Sequence, residues 1–279
     1  MQTWRNGLQS KLSEHVDTSG VTLARFLFAA PIAGVYLFVL YRLSPQIIPE
    51  FSIYFIRFVL IASFMQIIAT SLMVLLFKQQ NFAIGAGLAK SEALVAGVLG
   101  TLFFGSQLTL VGWSGILLGT LSIFVLSGLL QKGSFSFKTV LIGLACGTSF
   151  ALTSLYVREA SHELQVPFVY GAAWTLFIVL IVQTTALTTY IYIKNRAVFS
   201  QLKQHSVLTI ATSITSCIGS IGWFTAMALH HVAYVKTLGQ IEILFTILLS
   251  VFWLKQPVKR YEVIGLALIS IAAIMVMWS

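Results

Sequence analysis

Nine stretches of this chain are too long and too apolar to fold in water: 21–43, 55–77, 80–104, 108–130, 138–159, 167–193, 206–229, 231–254 and 261–279. Each matches the roughly 20 residues an α-helix needs to cross about 30 Å of hydrocarbon. No water is available there to satisfy backbone N–H and C=O groups, so only helices and closed barrels can span. These runs are too uniformly apolar for the alternating strands of a barrel. The sequence therefore predicts an all-α polytopic membrane protein, and with 9% charged residues, against about 25% in soluble domains, it excludes a soluble enzyme.

The breaks between spans carry turn and charge signals: LSPQIIPEF, FKQQ, GSQ, QKGSFSFK, REASHELQVP, KNRAVFSQLKQHS, HH and KQPVKR. Most are short, which makes neighbouring helices antiparallel. The net charge of +9 sits mostly in these loops, where basic residues set topology and meet anionic headgroups. The lipid bilayer, not nucleic acid, is the partner this charge implies, and a multi-pass place in the cell membrane, of the bacterial inner-membrane type, follows. Cys146 and Cys217 are two isolated thiols, each inside an apolar helix; they make neither a zinc site nor a disulfide framework and read as packing residues. No cofactor and no metal site is expected.

Shifting the chain by 150 residues lays 81–118 over 231–268 without a gap. Ala83 then meets Ala233, Glu92 meets Glu242, Leu99 meets Leu249 and Gly115 meets Gly265. At a shift of 147, LQSKLSEH (8–15) resembles LYVREASH (155–162), with Lys11 on Arg158 and His15 on His162. The second of these is the tail of a helix starting near Thr139, so its first-half twin would begin before Met1. The expectation is five helices plus five, as repeats 1–130 and 138–279, with an incomplete first helix; the alternative for the N-terminal segment is an amphipathic helix at the membrane interface. Units of five helices insert with opposite orientation, the inverted-repeat arrangement of secondary carriers.

The repeat brings two rare carboxylates into register, Glu92 in LAKSEALVAGVL and Glu242 in LGQIEILFTILL, each near the centre of its span. A charge at that depth costs about 2.5–3.5 kcal/mol on insertion scales, so it must face protein or a watery path. Such a carboxyl can exchange a proton or grip a cationic group. Lys90 and Lys236 share the neighbourhood. Lys90 and Glu92 are two residues apart, about 200° around a helix, and so occupy different faces. Lys236 corresponds to Ala86, one turn from Lys90, and Gln240 corresponds to Lys90 itself. Each helix thus presents a polar face and a glutamate face. Two readings fit: a wall that binds an anionic or zwitterionic solute, or lysine–glutamate pairs that neutralise one another across helices.

Weaker candidates are Arg25 and Trp174, at corresponding positions of the repeats, Tyr234 and Trp223 as stacking aromatics, and Gln66 and Gln183 as mid-helix polar groups. Gly143-x-x-x-Gly147 and Gly115-x-x-x-Gly119 fit close helix approach. No phosphate-cradling glycine loop, HExxH or Ser/His/Asp arrangement is present, so neither ATP drives this chain nor does an enzymatic motif mark it.

Residues 219–276, GSIGWFTAMALHHVAYVKTLGQIEILFTILLSVFWLKQPVKRYEVIGLALISIAAIMV, resemble the end of an EamA-type member of the drug/metabolite transporter superfamily. Residues 80–126 are similar to the same unit in the first half. The resemblance implies a ten-helix bundle of two inverted five-helix repeats, alternately open to each side, which exports or exchanges metabolites without ATP. A small polar or amphipathic solute such as an amino acid, with protons or a counter-solute as coupling partner and a monomer or homodimer as the assembly, is the corresponding expectation. The alternative is a non-transporting paralogue or assembly partner. The loops holding Lys78, Lys132, Lys138, Lys194, Arg196, Lys203, Lys255, Lys259 and Arg260 outweigh Arg42, Arg57 and Arg158 opposite. The positive-inside rule sets that richer side in the cytoplasm, whereas the resemblance implies cytoplasmic termini.

Overall fold

The computed structural model describes residues 2–80, 82–103, 109–126, 136–229, 235, 239 and 241–278. Its elements are α1 (Gln2–Leu12), α2 (Thr18–Phe26), α3 (Ala29–Leu43), α4 (Ile53–Gln79), α5 (Phe82–Ala89), α6 (Glu92–Phe103) and α7 (Leu110–Leu126). There follow α8 (Phe137–Glu163), α9 (Phe168–Lys194), α10 (Ala197–Gln204), α11 (Ser206–Leu229), α12 (Glu242–Phe252) and α13 (Arg260–Met277). No strand occurs among the described residues. Among the described residues seven stretches are long and apolar enough to cross a membrane, and Leu110–Leu126 and Glu242–Phe252 are shorter apolar helices. The chain is an all-helical, multi-pass membrane protein.

It divides into two compact units, each drawing on both halves of the sequence: Met1–Ile67 with Leu152–His231, and Ile68–Ala151 with Val232–Ser279. In the first unit α9 packs on α2, α3 and α11, and α11 packs on α1, α2 and α3. The expected continuous span 21–43 is interrupted at Leu27–Phe28. Pro31 explains the break, because its ring displaces the carbonyl four residues earlier, that of Leu27, and it has no N–H to donate. Neighbouring helices satisfy the backbone there. Ser213 Oγ donates to the Ala24 carbonyl at 2.5 Å and accepts the Phe28 N–H at 3.2 Å. Thr184 Oγ1 donates to the Phe26 carbonyl at 3.1 Å, and the Cys217 thiol to that of Ala29 at 3.4 Å.

The N-terminal segment is a helix, α1, of which Thr3, Arg5, Asn6, Gly7, Leu8, Gln9, Ser10 and Leu12 are buried. It packs against α11 and α2, which does not fit a helix laid along an interface with one face open. The loop KNRAVFSQLKQHS contains α10, whose Val198 and Leu202 are buried against the first unit.

The second unit has an apolar core built on Leu88, Leu94, Leu126, Leu266, Ile269 and Val276. Helices α7 and α13 approach through glycine: a Cβ at Gly115 would lie 2.8 Å from Met275 Cβ and 3.0 Å from the Ala272 carbonyl oxygen. At Gly119 it would meet Leu94 at 2.3 Å. Dispersion and fit replace the hydrophobic effect between helices in lipid, so small residues at the seam are the main source of contact. Gly115→Leu should therefore destabilise by about 1–3 kcal/mol, the usual cost of overpacking, read as a lowered thermal midpoint in detergent. Gly222→Ala, where an added Cβ meets nothing within 4 Å, should leave that midpoint unchanged.

Candidate functional site

The run expected to be one helix over 80–104 is two, α5 and α6, separated at Lys90–Ser91. Across the junction the ladder tightens to i→i−3 bonds: Lys90 N–H to the Gly87 carbonyl at 3.0 Å, Ser91 N–H to Leu88 at 3.1 Å, and Ala93 N–H to Lys90 at 3.3 Å. Such a short 3₁₀ stretch inside a helix marks a hinge or a strained site. Glu92 is consequently not a mid-helix charge. It opens α6, and Glu242 opens α12. The positive end of a helix favours a carboxylate in its first turn by about 0.3–2 kcal/mol, which offsets part of the burial cost that the unbroken-helix reading assigned to both.

Helix α8 holds the junction. The Ser91 hydroxyl, fully buried, donates to the Gly143 carbonyl of α8 at 3.2 Å. A Cβ at Gly147 would lie 2.8 Å from the Glu92 nitrogen and 2.0 Å from Ser91 Oγ, and one at Gly143 would meet Leu88 Cβ at 3.1 Å. The Gly143-x-x-x-Gly147 pair is thus the face on which the break sits.

Lys90 crosses to the other half of the sequence within the same unit. Its Nζ lies 3.4 Å from Glu242 Oε2 and donates to the Gly239 carbonyl at 3.3 Å; the two charged side chains are 13% and 17% exposed. This contact is a lysine–glutamate pair across helices. Lys236, Gln240 and Tyr234 lie outside the described residues, as do His230 and His231. Glu92 is half-buried.

The remaining candidates belong to the other unit. Arg25 is buried in α2, its guanidinium carbon 5.4 Å from the Phe26 ring centroid. Trp174 of α9 donates from its indole to the Tyr41 hydroxyl at 3.0 Å and meets Phe51 and Phe177 edge-on. Tyr170 donates to the Leu40 and Ser44 carbonyls, so this aromatic cluster fastens the end of α3. Trp223 is half-buried on α11. Gln183 Nε2 donates to Gln66 Oε1 at 2.7 Å, an amide pair joining α9 to α4. Both cysteines are buried, as their packing role requires.

Sequence reasoning missed Ser91, whose signal was its place in Lys-Ser-Glu between apolar runs, and the buried polar residues of α1. A double-mutant cycle on the ion pair tests the geometry. Lys90→Gln and Glu242→Gln should each lower stability by about 1–3 kcal/mol, less than the 3–5 of a fully buried pair. The double variant should cost less than the sum, by about 1 kcal/mol, because no uncompensated charge remains. Strict additivity in thermal or denaturant unfolding would contradict the contact.

The chain aligns with a solved crystal structure at a TM-score of 0.64 and 16% identity, covering 98% of this chain and 92% of that one, a likeness of fold. No curated protein matches the chain. The sequence profile of the EamA-like transporter family matches residues 137–278, just over half of the chain and inclusive of α8 to α13. With its apolar helices and its carboxylates at the heads of half-length helices, the chain belongs to the EamA-like transporter family of the drug/metabolite transporter superfamily.

Proposed function

We propose that this chain is a secondary active transporter that exports or exchanges small polar or amphipathic metabolites such as amino acids, from a bacterial inner membrane, by alternating access. The observation that carries the reading is the Lys90–Glu242 pair, 3.4 Å apart beside a broken apolar helix. Secondary carriers use discontinuous helices in this way, with ions and solutes meeting half-helix ends. The pair is a two-state element. A proton on Glu242 removes the counter-charge of Lys90, and a solute carboxylate competes for the ammonium. Either event frees the ends of α5 and α12 from one another. Glu92, at the head of α6, is the counterpart of Glu242 under a 150-residue shift and takes the complementary role in the opposite-facing state. On this reading residues 1–130 and 138–279 are the inverted repeats, and Lys236 and Gln240 complete the polar wall. The gradient of protons or of a counter-solute supplies the energy, and membership of a transporter family supports carriage over catalysis.

Reconstituted in proteoliposomes loaded with an amino-acid mixture, the protein should exchange labelled amino acids. Glu92→Gln and Glu242→Gln should each reduce that exchange at least about tenfold, equivalent to about 1.4 kcal/mol, while keeping a monodisperse elution profile. Full exchange by both variants would overturn the proposal.

A further inference from the structure

The short helix α10 joins the end of α9 to the start of α11, and its neighbours hold it in one place. Its Val198 and Leu202 are buried, and a Cβ at Gly20 of α2 would lie 2.6 Å from Val198 Cγ1. The Thr209 hydroxyl of α11 donates to the Leu202 carbonyl at 3.2 Å. On one flank the Asp17 N–H donates to Gln201 Oε1 at 3.2 Å, and the His15 and His205 rings stack with centroids 4.6 Å apart. Helix α10 is a fixed platform on the first unit.

Its outer face is basic. Arg196 precedes the helix with helical dihedral angles (φ −63°, ψ −21°). At 3.6 residues per turn, Arg196, Ser200 and Lys203 therefore fall within about 60° of one another, opposite Val198 and Leu202. All three are exposed, as is Lys194 at the end of α9. Arg196 Nε donates to the Tyr192 carbonyl at 3.1 Å, and its guanidinium carbon lies 3.9 Å from the Tyr192 ring centroid. That contact orients the fork. Lys194, Arg196 and Lys203 form no ion pair among the described residues. The Asp17 carboxylate accepts from Asn195 Nδ2 at 3.4 Å, on the Gln201 flank, about 140° around α10 from Arg196. At the opposite end of this unit Arg42, Arg57 and Arg158 are offset by Glu50, Glu159 and Glu163.

Apolar side chains adjoin the basic face on both neighbouring helices. Tyr190, Tyr192 and Ile193 of α9 are 54%, 54% and 79% exposed, and Val207, Ile210, Ile214 and Ile218 make an exposed stripe along α11. Their spacing of three or four residues keeps them on one side of that helix. Exposed tyrosines beside cations mark the headgroup level of a membrane-spanning helix, and an apolar stripe leading away from that level is solvated by acyl chains. A soluble anion would use the cations alone, whereas a lipid uses the cations and the stripe together.

We propose that the outer face of α10, with Arg196, Ser200 and Lys203 and with Lys194 beside it, binds the phosphodiester headgroup of an anionic phospholipid whose acyl chains lie along the exposed residues of α9 and α11. The guanidinium and ammonium groups supply charge and donors to the phosphate oxygens, as in other basic interfacial helices. Every residue of the site belongs to the unit that lacks the Lys90–Glu242 pair, so the assignment stands apart from the transport reading.

Thermal unfolding of the full chain in a neutral detergent tests it, because a ligand that binds the folded state raises the midpoint with concentration. The probes are dioleoyl phosphatidylglycerol, dioleoyl phosphatidylcholine and soluble glycerol 3-phosphate. Phosphatidylglycerol should raise the midpoint in a saturable way, and the other two should not. Arg196→Gln combined with Lys203→Gln should weaken that response at least about tenfold, since each cation near a membrane surface contributes to holding anionic lipid. Arg196→Lys combined with Lys203→Arg should retain it. Arg42→Gln combined with Arg57→Gln, an equal loss of charge at the opposite end, should leave it unchanged. Equal protection by phosphatidylcholine or by glycerol 3-phosphate, an unchanged response in the Arg196/Lys203 glutamine variant, or an equal loss in the Arg42/Arg57 variant would each overturn the assignment.

Discussion

An ammonium and a carboxylate set in apolar sequence constrain everything packed around them. Neither can be left against hydrocarbon, where an unpaired charge costs several kcal/mol, and breaking such a pair costs more than forming it gains. Lys90 and Glu242 meet this constraint jointly, and the surrounding helices are arranged to let them. The break between α5 and α6 turns Lys90 toward α12, Ser91 anchors that break to α8, and glycines 143 and 147 let α8 approach closely enough to hold it. Both glutamates then stand at helix heads, where the backbone dipole favours them. A charge that would be a burden in a continuous helix becomes a supported one at a discontinuity.

The same solution recurs in the first unit in a different chemical form. Pro31 breaks a span between α2 and α3, and side chains of α9 and α11 cap the carbonyls around the junction. Interrupted helices survive at membrane depth only where neighbouring protein re-satisfies the backbone. In the first unit that neighbour is a set of hydroxyls and a thiol; in the second the junction keeps its own i→i−3 bonds while its Ser91 hydroxyl reaches the Gly143 carbonyl of α8.

The helical, membrane-spanning character was legible in the sequence because a run of twenty apolar residues has few alternatives in physics. Glu92 and Glu242 stood out because carboxylates in oil are rare, and both open helices, α6 and α12. The break at Lys90–Ser91 was not legible, since hydropathy averages over a window wider than a single tightened turn. Nor was the break at Leu27–Phe28, although Pro31 carried the signal four residues downstream. The pairing of Lys90 with Glu242 depended on which helix lies opposite Lys90, a tertiary fact that periodicity within one helix does not contain. The polar face of α1 was compared with residues 155–162 by sequence alone, and its burial against α11 emerged only from packing.

Stability and function make opposite demands on the ion pair, and that difference offers the most direct test. Replacing both partners together with Lys90→Met and Glu242→Gln removes the charges without leaving either one uncompensated. If the pair is the working element of a carrier, this double variant loses less stability than the two single replacements summed, yet exchanges no labelled amino acid in proteoliposomes. Wild-type exchange by the charge-free double variant would contradict the account.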